Sequence, residues 1–197
     1  MIDRMFKYYV TIILLVITVM LLFVLFRIPV SDKGQVSEED NIESLYFQNN
    51  EINGLINNGL NLNDDIILFN SDESIYNIKL SELPPMLIFR YSSHSCNHCI
   101  DYINEKINKY FGNHEFRYNV LIIASDFNKN TMKRNQNIVY LLNSNTLGLP
   151  IEKTRTPFVF LLEKGKVTHL FTPERSFDKY TDVYFKFLKE RYFSDKR

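Results

Sequence analysis

Cys96 and Cys99 are the only cysteines among the 197 residues of the chain, and two residues separate them. Cysteines at this spacing can close a disulfide or bind one metal ion. They lie where an apolar run, residues 86–91, gives way to a helical pattern, so the first sulfur would meet a helix N-terminus. Unpaired N–H groups and the helix dipole favour the thiolate there, and the thiolate is the reactive form. The pattern therefore predicts redox chemistry at this pair.

Hydrophobic patterns predict the elements that position the pair. Strands are expected at residues 66–69, 75–78, 86–91, 120–123, 158–162 and 167–171. Helices are expected from the cysteines to Gly112, over residues 131–143 and from residue 177 onward. This order of elements predicts an α/β fold with a mixed central sheet and helices on both of its faces.

The N-terminal segment contains a long uncharged run. Residues 8–26 carry no charged side chain, and a run of this length can cross a hydrocarbon core as a helix. No small-x-small cleavage site follows Arg27, so we expect an uncleaved single-pass anchor. With the short tail inside, the rest of the chain is expected on the extracytoplasmic side of a bacterial cytoplasmic membrane, where disulfides can persist.

Three segments follow from this pattern. Residues 1–30 are predicted to be the tail and membrane anchor, residues 31–61 a polar juxtamembrane linker that permits a short amphipathic helix, and residues 62–197 the globular domain. The charge is balanced, with 23 basic and 23 acidic residues, so no nucleic-acid partner is indicated.

Three stretches carry a resemblance to a known family. IILFNSDESIYNIKLSEL is similar to an N-terminal hairpin with its following turn, PMLIFRYSSHSCNHC to a strand leading into CxxC, and RTPFVFL to a strand that begins with a cis-proline. Together they resemble the thioredoxin superfamily, in particular its membrane-anchored TlpA/ResA-like (redoxin) branch, over about residues 62–193. The resemblance implies a thioredoxin-like fold with an extra N-terminal hairpin.

The resemblance also implies a thiol-disulfide oxidoreductase that needs no cofactor besides a redox-active Cys96–Cys99 disulfide. Cys96 would attack a disulfide of an exported protein, and Cys99 would resolve the mixed disulfide. The direction of electron flow and the electron donor or acceptor are left open. A purely structural Cys96–Cys99 disulfide is disfavoured, because closing so short a loop removes little entropy from the unfolded chain.

Neighbouring residues are expected to tune the pair or bind its client. Asn97 and His98 lie between the cysteines, and a protonated His98 would stabilise the thiolate and make the disulfide more oxidising. A solvated His98 with little influence is the alternative. By resemblance, the Thr156–Pro157 peptide is cis and packs against the dithiol, and the backbone of Thr156 pairs with the client.

The sequence departs from the family at three positions. Ser95 stands where the family usually has Trp, Arg90 where thioredoxins often keep a buried acid, and Ser92 where an aromatic residue is usual. These changes affect the expected client surface and redox poise rather than the dithiol chemistry.

Two other classes of function stay open. A thioredoxin-fold copper carrier (Sco-like) would use Cys96 and Cys99 with His169 as a distant third ligand. Our first expectation is no metal, because such carriers space their cysteines further apart. The local cluster of His94, Cys96, His98 and Cys99 is also unsuited, since the consecutive residues His98 and Cys99 point in different directions on a helix and cannot easily face one ion. A non-catalytic thioredoxin-like interaction module is the other alternative.

Overall fold

The computed structural model describes residues 13–21, 38–62, 67–70, 75–77, 79–127, 138–141 and 146–194. The chain divides into two units, Met1–Ile42 and Glu43–Arg197, and the second contains the sheet. In the first unit residues 13–21 are helical, and the rest of the predicted span 8–26 lies outside the described residues. Within the described part of the chain, no helix is both long and apolar enough to cross a bilayer.

Seven strands and three longer helices are seen in the described residues. The strands are β1 (Ile67–Asn70), β2 (Ile75–Asn77), β3 (Met86–Ser92), β4 (Val120–Ser125), β5 (Ile138–Leu141), β6 (Phe158–Glu163) and β7 (Lys166–Phe171). The helices are α1 (Glu38–Asn57), which begins in the first unit, α2 (Asn97–Asn119) and α3 (Asp178–Leu188). Short 3₁₀ turns cover Leu80–Glu82, Pro150–Thr154 and Arg175–Phe177, and a π turn, Lys189–Phe193, follows α3.

The described strands form one mixed sheet in the order β2-β1-β5-β4-β3-β6-β7. β3 pairs in parallel with β4 and antiparallel with β6, so it lies inside the sheet. Leu87, Ile88 and Phe89 are fully buried, as expected for a strand covered on both faces. The predicted mixed sheet is confirmed.

The two faces of the sheet have different covers. Alternate side chains of β3 point to opposite faces, so Phe89 and Ile88 belong to two separate apolar clusters. Helices α2 and α3 pack on the face of Phe89. On the face of Ile88, the described cover consists of the 3₁₀ turns and the segment around Leu149. The chain breaks from α-helical geometry at Gly112, with φ 59° and ψ 179°, where the predicted helix ends.

One predicted helix is wrong in part. We expected residues 131–143 to be helical, but Ile138–Leu141 forms β5, which pairs in parallel with β4 and antiparallel with β1. The sequence Ile-Val-Tyr-Leu is rich in strand-favouring side chains, and the pairing partners on both sides complete its backbone hydrogen bonds. Residues 131–137 and 142–143 lie outside the described residues.

The stretch predicted as a linker contributes structure to the second unit. The Tyr46 ring stacks on Phe177 with centroids 4.3 Å apart, and its hydroxyl donates to the Thr172 carbonyl oxygen at 3.1 Å. Asn57 is fully buried and accepts a hydrogen bond from the Ile151 N–H at 3.3 Å. The short helix that the sequence permits within the predicted linker is present as α1, and its residues Tyr46 and Asn57 contact residues far along the chain.

Candidate active site

The dithiol lies at the junction of β3 and α2. The turn that joins these elements is closed by two backbone hydrogen bonds, from the Ser93 N–H to the Ser125 carbonyl and from the Ser95 N–H to the Ser92 carbonyl, both 3.0 Å. Cys96 immediately precedes α2, and the Cys99 N–H donates to its sulfur at 3.3 Å. The first sulfur thus occupies the position of a helix cap, where it accepts a hydrogen bond from an otherwise unpaired N–H group.

The two thiols have unequal environments. Both are free in the structure, with Cys96 exposed and Cys99 partly buried. Hydrogen bonds from the Cys99 thiol and backbone, and from the His98 backbone, lower the pKa of Cys96 below its ordinary value. Burial, and then the neighbouring Cys96 thiol, raise the pKa of Cys99 to about 11. Cys96 is therefore the better nucleophile and Cys99 the protonated partner beside it.

A second chain segment meets this turn. The Ser95 hydroxyl donates to the carbonyl oxygen of Arg155 at 2.9 Å, which brings Arg155 next to the residue before Cys96. Ser95, Arg155 and Thr156 line the same cleft. Thr156 is exposed and Pro157 is buried. The structure thus places Thr156 on the same cleft as Ser95, the neighbour of Cys96, and client binding by Thr156 and Pro157 stays a prediction.

The predicted cis geometry of that segment is wrong. The Thr156–Pro157 peptide is trans, and no peptide bond within the described ranges is cis. Trans is the ordinary state of a bond before proline. The reversal of the chain is made instead at Arg155, which has a left-handed backbone with φ 59° and ψ 9°.

The floor of the cleft contains a buried cation. Arg90, on β3, is 3% exposed, and its Nε lies 2.8 Å from the carboxylate of Glu152. Its other guanidinium nitrogens donate to the Tyr91 carbonyl and, at 2.8 Å, to the Ser125 hydroxyl. Burial lowers the pKa of Arg90, and the charge of Glu152 opposes that shift. Arginine stays charged in proteins, so this is a buried ion pair.

Glu152 also organises the segment that follows β5. Its second carboxylate oxygen accepts hydrogen bonds from the Thr146 hydroxyl and from the backbone N–H groups of Leu147, at 2.8 Å, and Leu149, at 3.1 Å. One carboxylate therefore joins the central strand to residues 146–152. Because four donors share its two oxygens, the position of the 3₁₀ turn Pro150–Thr154 depends on this side chain.

The arrangement of four strands decides the fold. The order β4-β3-β6-β7, with β6 antiparallel to β3, is flanked by α2 and α3, and the CxxC begins the helix after the central strand. The protein has a thioredoxin-like fold. β1, β2 and β5 extend this four-stranded core at the edge of β4.

Comparisons with solved structures report similarity to other thioredoxin-like proteins. A thiol:disulfide interchange protein from Bacteroides sp. is 12% identical, with a TM-score of 0.46, covering 67% of this chain and 88% of that one. The exposed lipoprotein thioredoxin Etrx1 from Streptococcus pneumoniae strain TIGR4 is 20% identical, with a TM-score of 0.41 and coverages of 63% and 97%. The mitochondrial 2-Cys peroxiredoxin from Plasmodium falciparum is 12% identical, with a TM-score of 0.40 and coverages of 68% and 94%. No family model and no curated protein matches the sequence.

The other predicted site residues of this thioredoxin-like protein are Asn97, His98 and His169. Asn97 and His98 are exposed in the first turn of α2, and their tuning roles stay predictions. His169, on β7, shares a hydrogen bond of 2.8 Å with the Tyr192 hydroxyl. Burial, and then the charge of Arg191, lower the pKa of His169.

The alternative metal set is not assembled. Over the described ranges, no three His, Cys, Asp or Glu side chains come close enough together to bind a metal ion. The structure therefore does not bring His169 to Cys96 and Cys99.

Sequence reasoning missed Glu152 and Arg155. Arg90 could have indicated a partner such as Glu152, because a charge inside an apolar strand needs a buried partner. Four acidic residues follow the dithiol helix before α3, among them Glu152, and nothing in their spacing distinguishes it. Arg155 has no sequence signal for its left-handed backbone, which glycine or asparagine adopts more readily.

Proposed function

We propose that this protein is a membrane-anchored thiol-disulfide oxidoreductase that exchanges electrons between its Cys96–Cys99 dithiol and exported proteins. The observation that carries the proposal is the inequality of the two sulfurs. Cys96 is exposed with a lowered pKa, and Cys99, partly buried, has a pKa raised to about 11. Thiol exchange needs an attacking thiolate and a second thiol held in reserve.

The reaction follows from that inequality. The Cys96 thiolate attacks one sulfur of a client disulfide, so a Cys96–client mixed disulfide forms and the other client sulfur leaves as a thiolate. Cys99 then loses its proton and attacks the sulfur of Cys96, which forms the Cys96–Cys99 disulfide and releases the second client thiolate. Two electrons pass from the dithiol to the client. The reverse sequence oxidises a client dithiol.

Location completes the proposal. The uncharged run over residues 8–26 supports a single anchor in a bacterial cytoplasmic membrane, with the dithiol on the extracytoplasmic side. Its described residues, 13–21, are helical, and apolar side chains such as Leu15 and Met20 are 66% and 64% exposed. Turnover also requires a second redox partner that returns the dithiol to its starting oxidation state.

The test uses the full chain in lipid nanodiscs. The wild-type protein, reduced beforehand, should reduce insulin disulfides, and Cys96→Ser should lose at least a hundredfold in rate because the attacking thiolate is gone. Cys99→Ser should instead accumulate a mixed disulfide, visible by mass spectrometry. In intact spheroplasts, a membrane-impermeant maleimide should label Cys96 of the wild type.

Two outcomes would contradict parts of the proposal. Insulin reduction that persists in Cys96→Ser would remove the assigned nucleophile. Labelling of Cys96 only after lysis would place the dithiol on the cytoplasmic side.

A further inference from the structure

The segment beside the dithiol is held at both ends. At residue 152, the Glu152 carboxylate is paired with the buried Arg90 of β3 at 2.8 Å. At residue 155, the backbone carbonyl accepts the Ser95 hydroxyl at 2.9 Å. Both attachments lead to β3 or to the turn that follows it, which carries Cys96. The position of Thr156 relative to Cys96 therefore depends on these two side chains together with the pairing of β6 and β3, which begins at Phe158.

Arg155 needs such support. Its φ of 59° places it in the left-handed region, which is sterically unfavourable for a residue with a Cβ. Such residues persist where the surrounding structure determines their conformation. The Ser95 hydroxyl supplies a hydrogen bond to Arg155 itself, at the last residue before Thr156.

The hydroxyl of Ser95 is held in a fixed orientation. It is buried, at 8% exposed, and its oxygen accepts the Ser92 N–H at 3.1 Å while its proton goes to Arg155. With donor and acceptor both used, the hydroxyl has one orientation. Ser93, two residues earlier, is exposed, and no hydrogen bond of its side chain is seen in the described structure. The two serines therefore form a matched pair for experiment.

We propose that Ser95 is a positioning residue for the client: its hydroxyl holds the Arg155–Thr156 backbone beside Cys96, where an extended polypeptide lies across Thr156 and presents its disulfide. The inference rests on the proposed oxidoreductase function. The protein client is the one that the proposed function names, and a small disulfide, which needs only an exposed sulfur, should not depend on Ser95. Arg90 and Glu152 support the same segment from its other end.

The experiment separates client binding from sulfur chemistry. Full-length wild type, Ser95→Ala, Ser93→Ala and Ser95→Thr are compared with two substrates, insulin and the small disulfide 5,5′-dithiobis(2-nitrobenzoate). Ser95→Ala should raise the KM for insulin about fivefold with kcat unchanged, the equivalent of one net hydrogen bond of about 1 kcal/mol. Its rate with the small disulfide should stay within about twofold of wild type. Ser93→Ala should match wild type with both substrates, and Ser95→Thr, which keeps the hydroxyl, should restore the KM.

The results that would contradict the Ser95 inference differ from the result that would contradict the proposed function. An unchanged KM for insulin in Ser95→Ala would overturn the inference, and so would an equal loss with both substrates, which would place the role of Ser95 on the dithiol itself. Wild-type protein that reacts with the small disulfide but not with insulin would overturn the proposed function, and the client-binding role with it. The first two failures appear only in the variant and the third in the wild type.

Discussion

Two buried cations in this protein are paired with carboxylates in different ways. Arg90 is 3% exposed and Lys106, on α2, is 7% exposed. The partner of Arg90, Glu152, has a side chain only 10% exposed, whereas the partners of Lys106, Asp178 and Asp182, are 53% and 30% exposed. One network is therefore buried from end to end, and the other reaches solvent.

The two networks also join different parts of the fold. Arg90 and Glu152 connect the central strand to the segment beside the dithiol. Lys106 lies 2.6 Å from both Asp178 and Asp182 and so connects α2 to α3. Removing one partner of a fully buried pair leaves an unsolvated charge, whereas water can replace a lost partner near the surface. The comparison indicates that the first network determines the site and the second contributes to helix packing.

Breaking the site network should have the largest effect. Glu152→Gln removes the carboxylate that is ion-paired with the buried Arg90 and leaves only the weaker influence of the Asp126 charge, so we expect the free energy of unfolding to fall by about 3 kcal/mol. Urea denaturation of the full chain measures this loss. The double variant Arg90→Met with Glu152→Gln should recover part of it, because the buried charge is gone while the amide oxygen still accepts from the loop. A loss below about 1 kcal/mol in the single variant would contradict the comparison.

Breaking the helix network should cost less. Lys106→Met keeps most of the buried volume, and the two freed aspartates can be solvated, so we expect a loss of about 1–2 kcal/mol. The rate of Cys96 alkylation should not change. Lys109→Met is the matched control, because Lys109 is 54% exposed and also contacts Asp182, at 2.9 Å. It should change the free energy of unfolding much less than Lys106→Met does, because water already solvates Lys109. Equal losses at the two lysines would show that burial of Lys106 does not matter.

Acid titration of the helix network should give the smallest of the predicted losses of stability. Burial alone would raise the pKa of Asp182, but hydrogen bonds from Lys106, Lys109 and Tyr110 outweigh it and lower the pKa from 3.8 to about 2. A depressed carboxyl pKa stabilises the fold above its unfolded value, and that contribution is lost as pH falls.

We therefore expect a loss of about 1 kcal/mol, after allowance for solvent screening, as the pH falls from 3.8 to about 2. Thermal unfolding across that range measures it, with Asp182→Asn as the reference that lacks the titration. The same pH dependence in both proteins would assign the acid effect to other carboxyl groups.

Some features of the site and the fold could be predicted from the sequence, and others could not. The dithiol at a strand-to-helix junction was predictable, because the apolar run before Cys96 and the helical spacing after it are local patterns. The mixed sheet and its second hairpin were predictable for the same reason. β5 was not, because four strand-favouring residues take that state from pairing with β4 and β1, which no local pattern records.

The sequence by itself determined the chemistry: two thiols three positions apart, beginning a helix after a buried strand. Tertiary structure decided which residues meet them. Glu152 reaches Arg90 across 62 positions and Ser95 reaches Arg155 across 60. The Thr156–Pro157 peptide is trans where the resemblance implied cis. Periodicity records a residue's environment along its own helix or strand. The partner of a buried charge or hydroxyl is set by the packing of distant segments, which becomes defined only when the chain folds.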